Sequence, residues 1–171
     1  DTVVVLPKGT PGSFVQEGKI QEEITVLENE LVRISFSSKG ARPVAVELKN
    51  YVSADSQQVK LISGNFNQFS YLVNTGVNQT TSTEDLYFSP SEVVKNPAGE
   101  MSLVYSLKDS TGRMLEHRYM LKANEYMFGL NIVSEGADKL FTNNTVNFLW
   151  QLQADQQELD IQTEKRETQL G

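Results

Sequence analysis

The sequence contains no cysteine and a single histidine, so it has few of the side chains from which catalytic and metal sites are usually built. The absence of cysteine excludes cysteine nucleophiles and thiolate-bound metals, and one histidine would leave a metal site dependent on carboxylates. The absence of cysteine does not indicate a compartment, because a domain of this size does not require disulfides even where the surroundings are oxidising.

Long apolar runs and basic clusters are also missing from the chain. No run approaches the ~20 residues of a membrane-spanning helix, and the N-terminus has no charged-then-apolar signal pattern. The net charge of −7 repels phosphate backbones, so we do not expect nucleic acid as a partner, and we interpret the acidity as favouring solubility. Because the chain opens on Asp1 and not on Met, we expect a fragment or processed segment of a longer, membrane-anchored protein.

Sequence motifs for catalysis or phosphate binding are absent, including the Gly-x-Ser-x-Gly, Walker and dinucleotide-binding patterns. The acidic residues form no site with the required spacing, since they lie in predicted turns or lack calcium-loop spacing (Glu22-Glu23, Glu84-Asp85, Asp55, Asp109 and Asp138). We therefore predict no catalytic residue, no metal and no cofactor.

His117 is the one residue that could act as a general base. It lies between Glu116 and Arg118 in a predicted strand, and as a general base it would need an orienting partner, for which the sequence offers Asp109 or Glu125 only as a guess. A partly buried strand histidine that donates a hydrogen bond is the favoured interpretation.

Apolar residues recur with a period of two, which predicts short antiparallel strands and a single all-β sandwich. Val32, Ile34 and Phe36 alternate with polar residues, and Val44, Val46 and Leu48 repeat the pattern. The other candidate strands are residues 24–27, 59–62, 68–73, 86–88, 93–94, 102–107, 114–121, 126–133 and 146–152. Residues 74–76 and 96–99 and the pair Gly64-Asn65 are predicted turns.

The domain is predicted to span residues 23–153. Residues 1–22 contain prolines and glycines and are predicted to form a linker, in which residues 3–6 could add an edge strand. Residues 154–171 are rich in Gln and Glu, with too few apolar positions for a stable stripe, and are predicted to form a short helix or tail.

The clearest hairpin joins residues 101–107 to residues 114–121 through the turn Asp109-Ser110-Thr111-Gly112. On its second arm Leu115, His117 and Tyr119 are predicted to share one face. An earlier turn spans residues 37–41, and Gly40 within it is a candidate for positive φ, so Gly40→Val is expected to cost about 1–3 kcal/mol of stability.

Aromatic residues occur in most of the candidate strands, and we expect most of them to fill the core. They are Phe66, Phe69, Tyr71, Tyr87, Phe88, Tyr105, Tyr119, Tyr126, Phe128, Phe141, Phe148 and Trp150. Such residues could also stack on sugars or contact unfolded segments, so this alternative stays open.

Two stretches of the chain resemble a known family. Residues 28–51 contain a strand, a turn ending in Lys39-Gly40 and a second strand with Leu48-Lys49 and Tyr51, and resemble the opening of the large periplasmic domain of YidC membrane protein insertases. Residues 103–133 are similar to the late hairpin of that domain, and residues 163–168 look like its Bacteroidetes branch. The family-like structural positions are Gly40, Leu48, Tyr51, Gly112, Tyr119, Leu121 and Tyr126.

The resemblance implies an antiparallel β-supersandwich similar to galactose mutarotase, on the periplasmic face of the bacterial inner membrane. It also implies a non-catalytic interaction domain of an insertase that inserts and folds inner-membrane proteins, alone or with the Sec translocon. The implied partners are Sec translocon components and nascent membrane protein segments. Mutarotases use a histidine pair with a carboxylate, whereas this chain has only His117, so sugar chemistry does not follow from the fold.

Two alternatives remain at this stage. One is a carbohydrate-binding or degenerate aldose-epimerase-like β-sandwich, to which the aromatic residues would contribute. The other is an enzyme that uses His117.

Overall fold

The computed structural model describes residues 12–14, 21–62, 66–153, 160, 162 and 166. Within them most of the regular structure is β-strand. The described residues between 12 and 153 also contain one α-helical turn, α1 (Ala137–Leu140), and short 3-10 helices at Gly12–Phe14, Thr83–Asp85 and Thr142–Asn144. The strands are β1 Ile24–Glu28, β2 Val32–Ser37, β3 Arg42–Val52, β4 Gln58–Ile62, β5 Gln68–Ser70, β6 Leu72–Gly76, β7 Gln79–Ser82, β8 Ser89–Pro90, β9 Val94–Lys95, β10 Met101–Lys108, β11 Met114–Leu121, β12 Phe128–Glu135 and β13 Leu149–Gln151.

Two larger antiparallel sheets form the frame of the molecule. One has the order β1-β2-β3-β4, and the other has the order β12-β11-β10-β8, with β9 also paired to β10. Two small sheets, β5–β13 and β6–β7, complete the described part of the fold. This architecture confirms the predicted all-β class, and an antiparallel sandwich accounts for it.

The core lies between the inner faces of the two larger sheets. Phe36 of β2 and Tyr119 of β11 meet there, with ring centroids 4.3 Å apart. The predicted alternation is confirmed in β2, since Val32, Ile34 and Phe36 are all buried, whereas in β3 a register shift places Pro43 and not Val44 opposite Phe36. Burying a side chain of the size of Phe36 contributes about 2–3 kcal/mol, so this row of large side chains holds the sheets together.

Three predicted segments differ from the observed structure, and β7 was not predicted. The predicted strand at residues 68–73 divides at Tyr71, because the backbone N–H of Tyr71 is bonded to the Thr83 hydroxyl and its carbonyl accepts from the Thr83 N–H. Residues 74–76 were predicted as a turn but belong to β6, and the chain reverses at Val77 and Asn78. No expected strand covered β7.

Residues 86–88 do not form the predicted strand. Only Tyr87 bridges to Lys39, while the Leu86 carbonyl accepts from the Gly40 N–H and the Phe88 N–H donates to Ser38. The segment is therefore held against the turn after β2 and does not join a sheet ladder.

Several predictions fall on residues that lie outside the described ones. They are the edge strand at residues 3–6, the turn at Gly64-Asn65 and most of the C-terminal helix or tail, in which Gln162 and Arg166 have helical backbone. The domain limits at residues 23 and 153 stay a prediction.

Candidate functional site

His117 lies wholly inside the sandwich, on the buried face of β11. Its Nδ1 is 2.8 Å from the carbonyl oxygen of Ala41, and its Nε2 is 2.7 Å from the hydroxyl of Tyr71. A carbonyl can only accept, so Nδ1 carries the proton and donates it, and Nε2 accepts from the Tyr71 hydroxyl. Both ring nitrogens are thus bonded to residues outside β11, Ala41 in the turn before β3 and Tyr71 between β5 and β6, and the burial is more complete than the sequence suggested.

The surroundings of His117 keep the ring neutral. Burial lowers the pKa of His117 to about 4, although the hydrogen bond to Ala41 acts in the opposite direction. Burial also raises the pKa of Tyr71, so the hydroxyl keeps its proton. A neutral imidazole with two protein partners fixes neighbouring backbone and offers no open nitrogen to a substrate.

The Ala41 carbonyl is the point at which several family-like positions meet. Gly40 has a φ of +78° and Ala41 a φ of +47°, so the chain makes two consecutive left-handed steps there. The Tyr119 hydroxyl donates to the same carbonyl as His117, at 2.6 Å. Gly40 and Tyr119 therefore act together on one strained, buried turn, and Ala41 carried no sequence signal that identified it.

Tyr51 and Tyr126, two further family-like positions, are 75 residues apart in the chain but adjacent on the surface. Their ring centroids lie 6.2 Å apart, and both side chains are about half exposed. Partial desolvation and a hydrogen bond with Tyr51 raise the pKa of Tyr126. The pair joins the end of β3 to the approach to β12 and presents two aromatic rings to solvent.

The other family-like positions, Leu48, Leu121 and Gly112, lie at the core or in a turn. Leu121 is fully buried and Leu48 packs against the same core. Gly112 has a φ of +86° in the β10–β11 turn, with open space where a Cβ would lie.

The β10–β11 turn is fixed by Asp109, whose role the sequence did not show. Its carboxylate accepts from the backbone and hydroxyl of Thr111 and from the backbone and Nε of Arg113. Burial raises the pKa of Asp109, but these hydrogen bonds outweigh burial and hold it well below its usual range. Arg113 also reaches the Asn74 carbonyl and Ser13 and lies over the Phe14 ring.

Asn29 connects the β1–β2 turn to the β11–β12 turn. Its amide nitrogen donates to the carbonyls of Lys122 and Glu125, and its side-chain oxygen accepts from the N–H groups of Leu31 and Val32. The position of Asn29 between two strand candidates is a typical turn signal, but its contacts 93 and 96 residues away are not readable from sequence. A cavity of about 390 Å³ opens beside it, lined among others by Glu28, Lys49 and Lys95.

An aromatic patch made of Phe69, Phe148 and Trp150 lies where β13 pairs with β5. The rings of Phe148 and Trp150 stand edge-on to Phe69, at 4.7 and 5.6 Å between centroids. Phe69 is buried, whereas Trp150 is 53% exposed. Exposed apolar patches of this kind mark contact surfaces for other molecules.

The aromatic residues divide between the core and the surface. Those that are buried, as expected, are Phe69, Tyr71, Phe88, Tyr105, Tyr119 and Phe141, whereas Phe66, Tyr126, Phe148 and Trp150 are exposed.

Across residues 12–14, 21–62 and 66–153, no three His, Asp or Glu side chains group closely enough to hold a metal ion. In the same part of the chain, no helix combines the length and apolar character needed to cross a bilayer.

Comparison with known proteins gives one consistent family. The family model described as the YidC periplasmic domain matches residues 24–166. The membrane protein insertase YidC of Phocaeicola vulgatus is 30% identical over 151 residues, which are 87% of this chain and 23% of that protein. The corresponding protein of Parabacteroides distasonis is 29% identical over 152 residues, which are 88% of this chain and 23% of that protein.

A third relative, the YidC of Cytophaga hutchinsonii, is 30% identical over 135 residues, which are 78% of this chain and 21% of that protein. The chain thus spans about a quarter of the length of the curated relatives it matches. No solved structure matches the chain.

Proposed function

The chain belongs to the family of YidC periplasmic domains, and from this premise we propose that it is an accessory, non-catalytic domain of a membrane protein insertase. The match over residues 24–166 is the observation that carries the proposal. It places the chain at the periplasmic face of the inner membrane. We further propose that the domain contacts Sec translocon components and emerging segments of membrane proteins.

The interior of the domain supports a role in binding and not in catalysis. His117, the single histidine of the chain, is fully buried and neutral, and its ring nitrogens bond to Ala41 and Tyr71. Asp109, the most strongly perturbed carboxylate, is occupied by Thr111 and Arg113. Both groups stabilise turns, so neither has the open geometry that proton transfer to a substrate requires.

The surface of the domain offers apolar contacts at two places. They are the aromatic patch around Trp150 and the Tyr51–Tyr126 pair, where aromatic rings are exposed. Aromatic residues of this kind dominate the energetics of protein interfaces. The similarity to galactose mutarotase stays a prediction and contributes nothing to this argument.

Copurification from cells that express the complete gene product tests the proposal. Sec channel subunits should accompany the protein from gently solubilised membranes, and Trp150→Ser should reduce their amount. Val77→Ser is the matched control, because Val77 is 90% exposed at the distant β6–β7 turn. Absence of Sec subunits from the wild-type sample, or equal losses in the two variants, would contradict the proposed contact.

Carbohydrate binding is the second candidate function, and a neutral cavity favours it. The cavity, of about 330 Å³, is lined by the side chains of Leu72, Asn74, Thr80, Thr142, Asn143, Thr145 and Asn147. Amide and hydroxyl groups without charge suit the hydroxyls of a sugar. Calorimetric titration with mono- and oligosaccharides decides this candidate, and saturable binding tighter than about 1 mM, roughly −4 kcal/mol, would favour it.

A further inference from the structure

β12 is the outermost strand of the larger second sheet. It has eight residues and pairs with β11 along its whole length, without a bulge. Among the described residues no strand pairs with its other side. A long, regular strand edge of this kind is a template for a further strand.

The ladder shows which backbone groups of β12 point outward. The Asp109 N–H donates to the Arg113 carbonyl, so odd-numbered residues of β11 face β10 and even-numbered ones face β12. Their partners on β12 are the odd-numbered residues, from Gly129 to Glu135. The N–H and C=O groups that point away from the sheet therefore belong to Phe128, Leu130, Ile132 and Ser134.

Side chains of the same four residues lie on the inner face of the sheet. Leu130 stands opposite Tyr119 and Ile132 stands opposite His117, both of which are buried. Phe128 and Leu130 pack against the core, whereas Ile132 is 37% exposed. The apolar inner row thus continues beyond β11 and is left partly uncovered at the edge.

The edge of β12 also lacks the usual protection against added strands. Residues 128–134 contain no charge and no proline, and the first charged residue is Glu135. Three other outer strands differ, since β4 contains Lys60, β8 contains Pro90 and β9 contains Lys95, whereas β1 is shorter, at five residues. Lysine, proline and short length are the devices by which native sheets block edge pairing, and β12 has none of them.

We propose that the free edge of β12 binds an extended segment of another polypeptide as an additional antiparallel strand. The segment has apolar side chains at alternate positions and uncharged or basic residues between and beside them. The apolar residues of the segment cover the inner row of β12 at Ile132. The backbone of the segment forms hydrogen bonds with the four residues of β12 whose N–H and C=O groups point outward. This inference rests on the proposed function and identifies the partner as an unfolded, emerging segment.

Charge favours such a segment over a second copy of the chain. Two copies would each carry a net charge of −7, whereas a basic residue beside the strand would lie near Glu135. Glu135 forms no ion pair within the described ranges, so its carboxylate is available to attract a cation.

Fluorescence anisotropy with a synthetic peptide tests the edge directly. The probe is a fluorescein-labelled peptide about eight residues long, the length of a strand, that alternates valine with threonine between terminal lysines. In an antiparallel pair the inward-facing valines are the residues whose N–H groups point at β12. N-methylation of the valines should therefore abolish binding, and N-methylation of the threonines should leave it.

Three variants link the binding to β12. Ile132→Lys places a charge on the inner row and should weaken binding at least about tenfold, while Asn131→Lys, on the other face, should change it less than about twofold. Leu130→Pro removes one outward N–H without breaking a bond to β11, and should likewise weaken binding. Thermal unfolding shows whether each variant is folded. If Leu130→Pro does not fold, Ile132→Lys alone tests the edge of β12.

Several outcomes would overturn the inference. They are the absence of saturable peptide binding, equal affinity of Ile132→Lys and wild type, and equal loss with both methylated peptides. A concentration-dependent dimer that Ile132→Lys abolishes, without peptide affinity, would show that a second copy occupies the edge. These results are independent of the Sec copurification, so the inference and the proposed function fail separately.

Discussion

Side chains of β11 bond to the carbonyl of Ala41 and hold the turn that precedes β3. His117 and Tyr119 of β11 donate to this carbonyl, and the Tyr71 hydroxyl fixes the far side of the imidazole. A buried carbonyl without partners would cost about 1–3 kcal/mol, so these bonds offset the left-handed backbone of Ala41. His117, which sequence reasoning examined as a candidate general base, thus secures the shape of the turn together with Tyr119.

The buried histidine predicts a specific pH dependence of stability. In the unfolded chain His117 binds a proton near pH 6.5, and in the folded protein only near pH 4. The unfolded state binds more protons between these values, so stability is complete above pH 6.5 and falls as the pH is lowered towards 4. The loss is about 3 kcal/mol, which urea unfolding at several pH values would measure.

His117→Gln provides the control, because glutamine does not titrate. Its free energy of unfolding should be lower at every pH but should lack the added slope in this window. Identical slopes for the wild type and His117→Gln would show that the histidine is not buried in its neutral form.

Two glycines with positive φ allow strain and contact to be separated. A Cβ on Gly40 would lie 3.1 Å from the Cα of Glu84, whereas a Cβ on Gly112 would meet nothing within 4 Å. Gly40→Val should therefore destabilise by about 1–3 kcal/mol, and Gly112→Val by less, since it adds backbone strain alone. Thermal denaturation compares the two, and equal losses would contradict the close approach at Gly40.

Among the elements, the β10–β11 hairpin depends on a buried carboxylate in its turn. Asp109→Ala should lower the free energy of unfolding by about 3 kcal/mol, because Arg113 and the Thr111 N–H lose a charged partner. Asp55→Ala is the matched control, since Asp55 caps an exposed turn through Ser53 and Gln57. Urea unfolding should show a far smaller change there, and comparable losses would refute the role of Asp109.

The pH dependence of the Asp109 turn has its own window. The pKa of Asp109 is below its usual value of 3.8 in the folded protein, so its contribution is complete above that pH and is lost as the pH falls further. Acid unfolding of wild type below about pH 4 should therefore be steeper than that of Asp109→Ala. The His117 effect lies above this range, so the two can be measured separately.

Alternation predicted the strands whose inner rows are buried along their length. β10 and β11 were expected from Leu103, Tyr105, Leu115 and Tyr119, because each strand buries one face and leaves the other more open. Residues 68–73 have the same pattern as a single strand. In the structure, however, the backbone N–H and carbonyl of Tyr71 bond to Thr83. Such choices depend on contacts made elsewhere in the chain, which a local period does not contain.

For the candidate site, the sequence identified individual residues but not the contacts between them. Tyr51 and Tyr126 were named separately, and their contact follows only from how the two sheets are arranged. Asn29 and Arg113 were missed, because polar turn residues with distant partners resemble any other turn residues.

The whole molecule combines a closed interior with an open surface. Its titratable interior groups are engaged in turns, while Trp150, the Tyr51–Tyr126 pair and the edge of β12 face solvent. Membership in the YidC periplasmic-domain family gives these surfaces a setting beside the membrane. Contact with extended segments, by apolar rows and backbone bonds, requires no catalytic group.

Photo-crosslinking in cells tests this account most directly. A photoreactive amino acid is placed at Ile132 of the complete gene product, and at Lys60 on β4 as the exposed control, while a membrane protein is arrested during synthesis. The account predicts an adduct between position 132 and the arrested chain that depends on the length exposed, and none from position 60. Absence of the adduct at position 132, or equal adducts at both positions, would contradict it.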